Sequence, residues 1–144
     1  MFDLAHPETH LDFWIGKWTC RWQDNHGTNE VEKILGGKVV QENFDGHPSA
    51  PFLGKSWSVY APKLGGWRQT WVDDQGNYWN FVGRVDGERF IFATEDITPK
   101  GDAVHLRMVF YDIEADTFKW DWERSDDGGE TWKLAWQLHY TRNQ

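Results

Sequence analysis

Cysteine is almost absent from this chain. Cys20 is the single one in 144 residues, so no internal disulfide holds the fold and stability must come from a packed interior. Positive charge is scarce too: 15 Lys and Arg stand against 23 Asp and Glu, a formal net charge of −8, with the acids spread along the whole chain. That balance excludes the clustered basic surface that nucleic acid or an anionic membrane requires. No apolar run approaches the roughly 18 residues that would span a bilayer. The opening residues Met1-Phe2-Asp3-Leu4-Ala5-His6-Pro7 lack the basic and apolar regions of a secretory signal, so the expected location is cytoplasmic. No Ser/Pro/Gly linker or low-complexity stretch interrupts the pattern, and residues 1–144 are expected to form one domain with a sizeable core.

Motifs that carry chemistry are also missing. There is no nucleophile elbow, Walker loop or dinucleotide fingerprint, and Gly83-Arg84-Val85-Asp86-Gly87 falls within a hairpin, so it does not open a helix. His6-Pro7-Glu8-Thr9-His10 sets two imidazoles four residues apart, but the Glu is displaced from the zincin arrangement and no further Cys or His is near. Surface histidines are expected there, with no metal and no cofactor.

What is abundant is aromatic surface: 11 Trp, 9 Phe and 4 Tyr. Rings with a polar handle suit the walls of a ligand pocket, and bulky filler in a wide barrel is the competing explanation. The first segment reads as the only helix, with Pro7 at its first position, Gly16 at its C-terminal cap and Leu11, Trp14 and Ile15 on one face.

From Gly16 onward the period is two. Trp18, Cys20 and Trp22 alternate with polar residues, Asn25-His26-Gly27 is a turn, and Thr28 to Leu35 follows. Gly36-Gly37 leads into residues 38–44, a longer loop spans Asp45 to Pro51, and Phe52 to Ala61 is the fourth strand. Trp67 to Val72 and Tyr78 to Val85 flank the Asp74-Gln75-Gly76 turn, and Asp86-Gly87 opens a hairpin to Phe90, Phe92 and Thr94. After Pro99-Lys100-Gly101 come Val104 to Phe110, then Phe118 to Trp122, and last Trp132, Leu134, Trp136, Leu138 and Tyr140 in one phase. Short turns between successive strands favour an all-β, up-and-down antiparallel barrel of about ten strands, lipocalin- or fatty-acid-binding-protein-like, over a Greek-key sandwich.

Ser125-Asp126-Asp127-Gly128-Gly129-Glu130-Thr131-Trp132 resembles the Asp-box of sialidase propellers, which implies a folded hairpin turn and is no evidence for a glycosidase. Three stretches together carry a wider resemblance: Asp12-Phe13-Trp14-Ile15-Gly16-Lys17-Trp18, then Trp67-Arg68-Gln69-Thr70-Trp71-Val72-Asp73, then the Ser125–Trp132 hairpin with Tyr140-x-Arg142. They are similar to a family of small bacterial proteins of unknown function with a lipocalin-like fold of the calycin superfamily. The resemblance implies a barrel whose base Trp18 closes, and it brings no agreed activity. Nitrobindins, also ten-stranded barrels, bind haem through a late histidine. Here His139 alternates with Lys133, Ala135, Gln137 and Thr141, and so faces away from any haem inside.

If the aromatic phase is inward, the pocket is walled by Trp18, Trp22, Trp67, Trp71, Phe92, Trp120, Trp122 and Trp136, with Gln69 and Asn80 to orient a ligand. The expected partner is a small hydrophobic or aromatic molecule held in the barrel, with no nucleic acid or membrane; a homodimer stays open. The alternative is a cofactor-independent isomerase, cyclase, decarboxylase or hydratase in the same cavity. Glu42 would be its acid or base, raised in pKa by burial, and Tyr60 or Tyr140 would steady an oxyanion. A third option is an interaction module with an exposed aromatic rim, distinguished by where the tryptophans lie.

Overall fold

A computed structural model describes residues 1–94 and 105–144 of the chain. Ten strands follow one another: β1 (Gly16–Trp22), β2 (Asn25–Ile34), β3 (Val39–Asp45), β4 (Leu53–Ala61), β5 (Gly66–Asp73), β6 (Tyr78–Asp86), β7 (Arg89–Thr94), β8 (His105–Tyr111), β9 (Thr117–Ser125) and β10 (Lys133–Arg142). Each pairs antiparallel with its neighbours in sequence, and β1 pairs with β10, so the sheet closes into an up-and-down barrel without a free edge. The expected Pro99-Lys100-Gly101 turn and the strand position Val104 lie outside the described residues.

Alternating burial along each strand sorts the side chains. In β1 Trp18 and Cys20 are buried and Trp22 half-buried, in β2 Gly27, Asn29 and Val31 are buried, and in β3 Val40, Glu42 and Phe44 are. The first hairpin departs from expectation. Its turn is Gln23-Asp24, with Gln23 at φ +52, and Asn25-His26-Gly27 belongs to β2. Gly27 serves there as strand, because a Cβ at this position would lie 2.6 Å from the Asp45 carbonyl oxygen.

The expected short N-terminal helix is present and is 3-10 in kind, in two turns, Pro7–Thr9 and Asp12–Trp14. So short a segment gains little from helical hydrogen bonding and takes its shape from the surface beneath it. It caps one end of the barrel, with Leu11 and Trp14 buried against the core. Two indoles fasten it: Trp67 Nε1 donates to the Pro7 carbonyl at 2.8 Å, and Trp18 Nε1 to the Trp14 carbonyl at 2.9 Å. Gly16 does not cap a helix. It starts β1 at φ +144, where a Cβ would run into the Arg142 guanidinium. That guanidinium lies over the Trp18 ring at 4.2 Å and donates to the Ile15 carbonyl at 2.7 Å. His10, expected on the surface, is buried; it stacks edge-on with Phe2 and donates through Nε2 to the Asp3 carbonyl at 2.7 Å. His6 is exposed beside Asp3.

At the start of β10 the single inward phase expected for Trp132 to Tyr140 breaks. A bulge between Leu134 and Trp136 shifts the register, leaving Leu134 exposed while Trp136, Leu138 and Tyr140 turn inward. Trp132 precedes the strand and lies under the Arg107 guanidinium at 4.0 Å. In the preceding turn Asp127 accepts from the Thr131 backbone N–H at 2.9 Å and from the Thr131 and Ser125 hydroxyls. These bonds, Thr131 first, hold the Asp127 carboxyl down to about 2. The Asp-box resemblance thus describes a folded turn. No helix among the described residues is long and apolar enough to cross a membrane.

Candidate functional site

Two kinds of wall meet inside the barrel. Inward positions of β2 to β5 carry Asn29, Glu42, Ser56, Ser58 and Gln69 in the middle layer, whereas β6 to β10 carry Phe81, Phe92, Met108, Trp120 and Leu138. In β4 the side with Ser56, Ser58 and Tyr60 faces inward, and Trp57 and Val59 face solvent. The polar side is buried because its members bond to one another. Ser56 Oγ donates to Glu42 Oε1 at 2.8 Å, Asn29 Nδ2 to Glu42 Oε2 at 2.6 Å and to Tyr140 Oη at 2.9 Å, and Gln69 Nε2 to Ser58 Oγ at 2.9 Å.

The end capped by the 3-10 turns is solid. Phe13, Trp18, Phe110, Phe118 and Tyr140 form a chain of ring contacts, the closest being Phe118 stacked on Tyr140 at 4.3 Å. The opposite end is hollow. A cavity of about 230 Å³ opens beside the β5–β6 turn, where Asp73, Gln75 and Asn77 line its mouth. Its walls are Trp71, Trp79, Trp120, Trp122 and Trp136 with Phe44 and Phe52, and deeper in it reaches Phe81, Met108 and Leu138 together with Glu42 and Tyr140.

Burial drives the Glu42 carboxyl up to about 7, against the pull of its hydrogen bonds from Ser56 and Asn29. Tyr140 is pushed well above its usual value by burial and then by the nearby Cys20 and Glu42, so it remains a phenol. Burial likewise keeps Cys20, hydrogen-bonded to Tyr140, a protonated thiol. One cavity group therefore titrates close to neutrality, and it accepts hydrogen bonds when ionised. At the mouth Asp73 is partly desolvated, which opposes ionisation. Donation from the Trp71 indole at 2.9 Å, with Asn77 and Gln75, outweighs this and holds the carboxyl low. That indole-to-carboxylate bond between residues two apart is the physical content of the Trp-Arg-Gln-Thr-Trp-Val-Asp stretch.

The expected site residues separate into groups. Glu42, Trp71, Trp120, Trp122, Trp136 and Tyr140 come together around the cavity. Trp22 points inward near the mouth, its ring 5.1 Å from Trp136, without lining the space itself. Trp18, Trp67 and Phe92 are inward but consumed by packing, the first two at the capped end. Tyr60 sits against Trp67 in that same end, away from Glu42, and Gln69 is bonded to Ser58. Asn80 is a correction: it is exposed and accepts from Thr70 on the outer surface, because β6 turns Trp79 and Phe81 inward instead.

Trp79, Phe44, Phe52, Asn29 and Ser56 were not anticipated. A hairpin signal was available for Trp79, since it pairs with Trp71 across a turn centred on Gln75 and so must share its face. Asn29 pairs with Trp18, which the misplaced first turn concealed. Among the eleven tryptophans only Trp57 is exposed, at 37%, and its indole donates to Gln41 at 2.9 Å, so a surface aromatic rim is not what the rings build.

Gly54 leaves room for the cavity wall: a Cβ there would collide with the far ring of Trp71. Gly54→Ala is expected to displace that indole from Asp73, lower stability by about 1–3 kcal/mol through overpacking, and alter the near-ultraviolet dichroism. Urea unfolding together with that spectrum checks it; an unchanged spectrum would mean the ring keeps its place. No protein-family model and no curated protein sequence matches the chain, so the fold rests on its own geometry.

Proposed function

We propose that the chain binds one small, mostly apolar molecule in the open half of the barrel. The observation that carries this reading is a hollow lined by five indoles next to a buried carboxyl, in a barrel whose opposite end is packed ring on ring. An apolar space of about 150 Å³ already accommodates benzene, so a cavity of about 230 Å³ suits a molecule of one or two rings. Trp120 and Trp122 lie parallel within 2°, so both present their rings to the cavity in one orientation. The finer family reading, a small bacterial calycin-like protein, rests on the three sequence stretches and is supported by Arg142 over Trp18 at the closed base.

Calorimetric titration with a neutral two-ring probe such as 1-naphthylmethanol is expected to show one saturable site, with a matching change in tryptophan emission. Absence of saturation would remove the reading. A second reading, proton-transfer catalysis without a cofactor, is favoured by one observation: Glu42 is poised near neutral pH against the cavity. Glu42→Gln separates the two: the neutral probe still binds in either case, and only an enzyme has a turnover to lose.

A further inference from the structure

Resting on the cavity as a small-molecule site, we propose that its occupant is an organic cation: an amine whose ammonium group reaches Glu42 and whose one- or two-ring body lies between the indoles. The charge around the cavity points this way. Among the described residues the charged side chains that line it are both acids, Glu42 and Asp73. The groups that face Glu42 are Asn29 from β2, Ser56 from β4 and Tyr140 from β10, with Cys20 of β1 beside Tyr140, and none is cationic. An anionic guest would find no counter-charge and would add a second negative group beside a buried carboxyl.

Hydrogen-bond capacity points the same way. Glu42 receives one donor on each oxygen, which leaves a lone pair on each, and Asn29 has spent its Nδ2 hydrogens on Glu42 and Tyr140. The buried side-chain oxygens left without a partner, Asn29 Oδ1 and Gln69 Oε1, are both acceptors. Asn29 is 1% exposed and Gln69 2%, so bulk water does not reach them. Neither residue lines the cavity, so the carboxylate that a guest meets in its depth is Glu42, and an ammonium group brings it donors together with a positive charge. The indole faces add to the selection, because tryptophan rings attract a cation through their quadrupole, more strongly where water is excluded. An ammonium group that desolvates here exchanges its hydration for the Glu42 carboxylate and several aromatic faces.

The test compares three probes of one shape, 1-naphthylmethylammonium, 1-naphthylmethanol and 1-naphthoate, by calorimetry on the whole chain at pH 8. The ammonium is expected to bind at least about tenfold more tightly than the alcohol, and the carboxylate more weakly than both. Glu42→Gln is expected to abolish the ammonium preference while the alcohol still binds. Should that variant fail to fold, the unmodified protein carries the test: lowering the pH to 5.5 protonates Glu42 and should shrink the same preference. Equal affinities for ammonium and alcohol, a carboxylate that binds as tightly as either, or a preference indifferent to pH would overturn the cation assignment and leave the cavity a site for another class. Binding of none of the three would overturn the small-molecule reading and this inference together.

Discussion

At pH 8 the Glu42→Gln variant is expected to withstand more urea than the parent chain, an unusual result for a fully buried polar residue. The reason is the work of holding a carboxylate in the barrel interior. Glu42 titrates near 4.5 when the chain is unfolded and near 7 in the barrel. The folded form therefore holds its proton more tightly. Stability linked to this group is fully present below pH 4.5, falls as the pH climbs through 7, and is level above that. The difference between 4.5 and about 7 corresponds to about 3 kcal/mol in a site this dry. Glutamine has the same shape, can accept from Asn29 and stay beside Ser56, and carries no charge to desolvate.

The decisive quantity is how the gap between variant and parent changes with pH. It should favour the variant at pH 8 and move toward the parent by about 2–3 kcal/mol on going to pH 5. Other groups with shifted titration, such as Asp73 and Asp127, are common to both proteins and cancel in the comparison. A gap that stays constant across this range would show that Glu42 is not the strained group described. A ligand ammonium should act on the same balance, stabilising the parent more than the variant.

Trp18→Ala is expected to be the most damaging single truncation, costing about 3–5 kcal/mol in urea unfolding. The side chain is 1% exposed and fills the capped end against Phe118 at 4.9 Å and Tyr140 at 5.9 Å. Its loss would leave a void, strip the Trp14 carbonyl of its donor and remove the ring beneath the Arg142 guanidinium. Probe affinity at the opposite end should change little wherever the variant remains folded, since Trp18 does not line the cavity. If instead the probe is lost while stability holds, the division of the barrel into a packed end and an open end is wrong.

Much of this architecture was legible because strand alternation is local. Trp18, Cys20 and Trp22, or Phe118, Trp120 and Trp122, place their faces two residues at a time without reference to any other strand. Turn chemistry near Asp74-Gln75-Gly76 and Asp86-Gly87 then fixed where one strand stops and the next starts. Errors entered where a phase depended on a partner. Asn80 looked inward until the pairing of Thr70 with Asn80 and Trp71 with Trp79 set β6 the other way, and a one-residue slip of this kind reverses a whole strand. Period alone continues the inward row of β10 through Trp132 and Leu134, but the bulge before Trp136 is a property of the β9–β10 pair.

The candidate site shows the same boundary more sharply. The sequence offers Glu42 only as the candidate acid or base of an alternative enzyme, and the fold surrounds it with Asn29, Ser56 and Tyr140 from three other strands. Sequence by itself determined an all-β chain with ten strands and an aromatic inward phase, because hydrophobic period and turn residues act over a few positions, while the Trp18 base came only from the resemblance. Only the tertiary structure decided which aromatic rings pack solidly and which stand apart around a space. That outcome depends on closure, which brings β1 against β10 and lets the 3-10 turns fill one end while the other stays open.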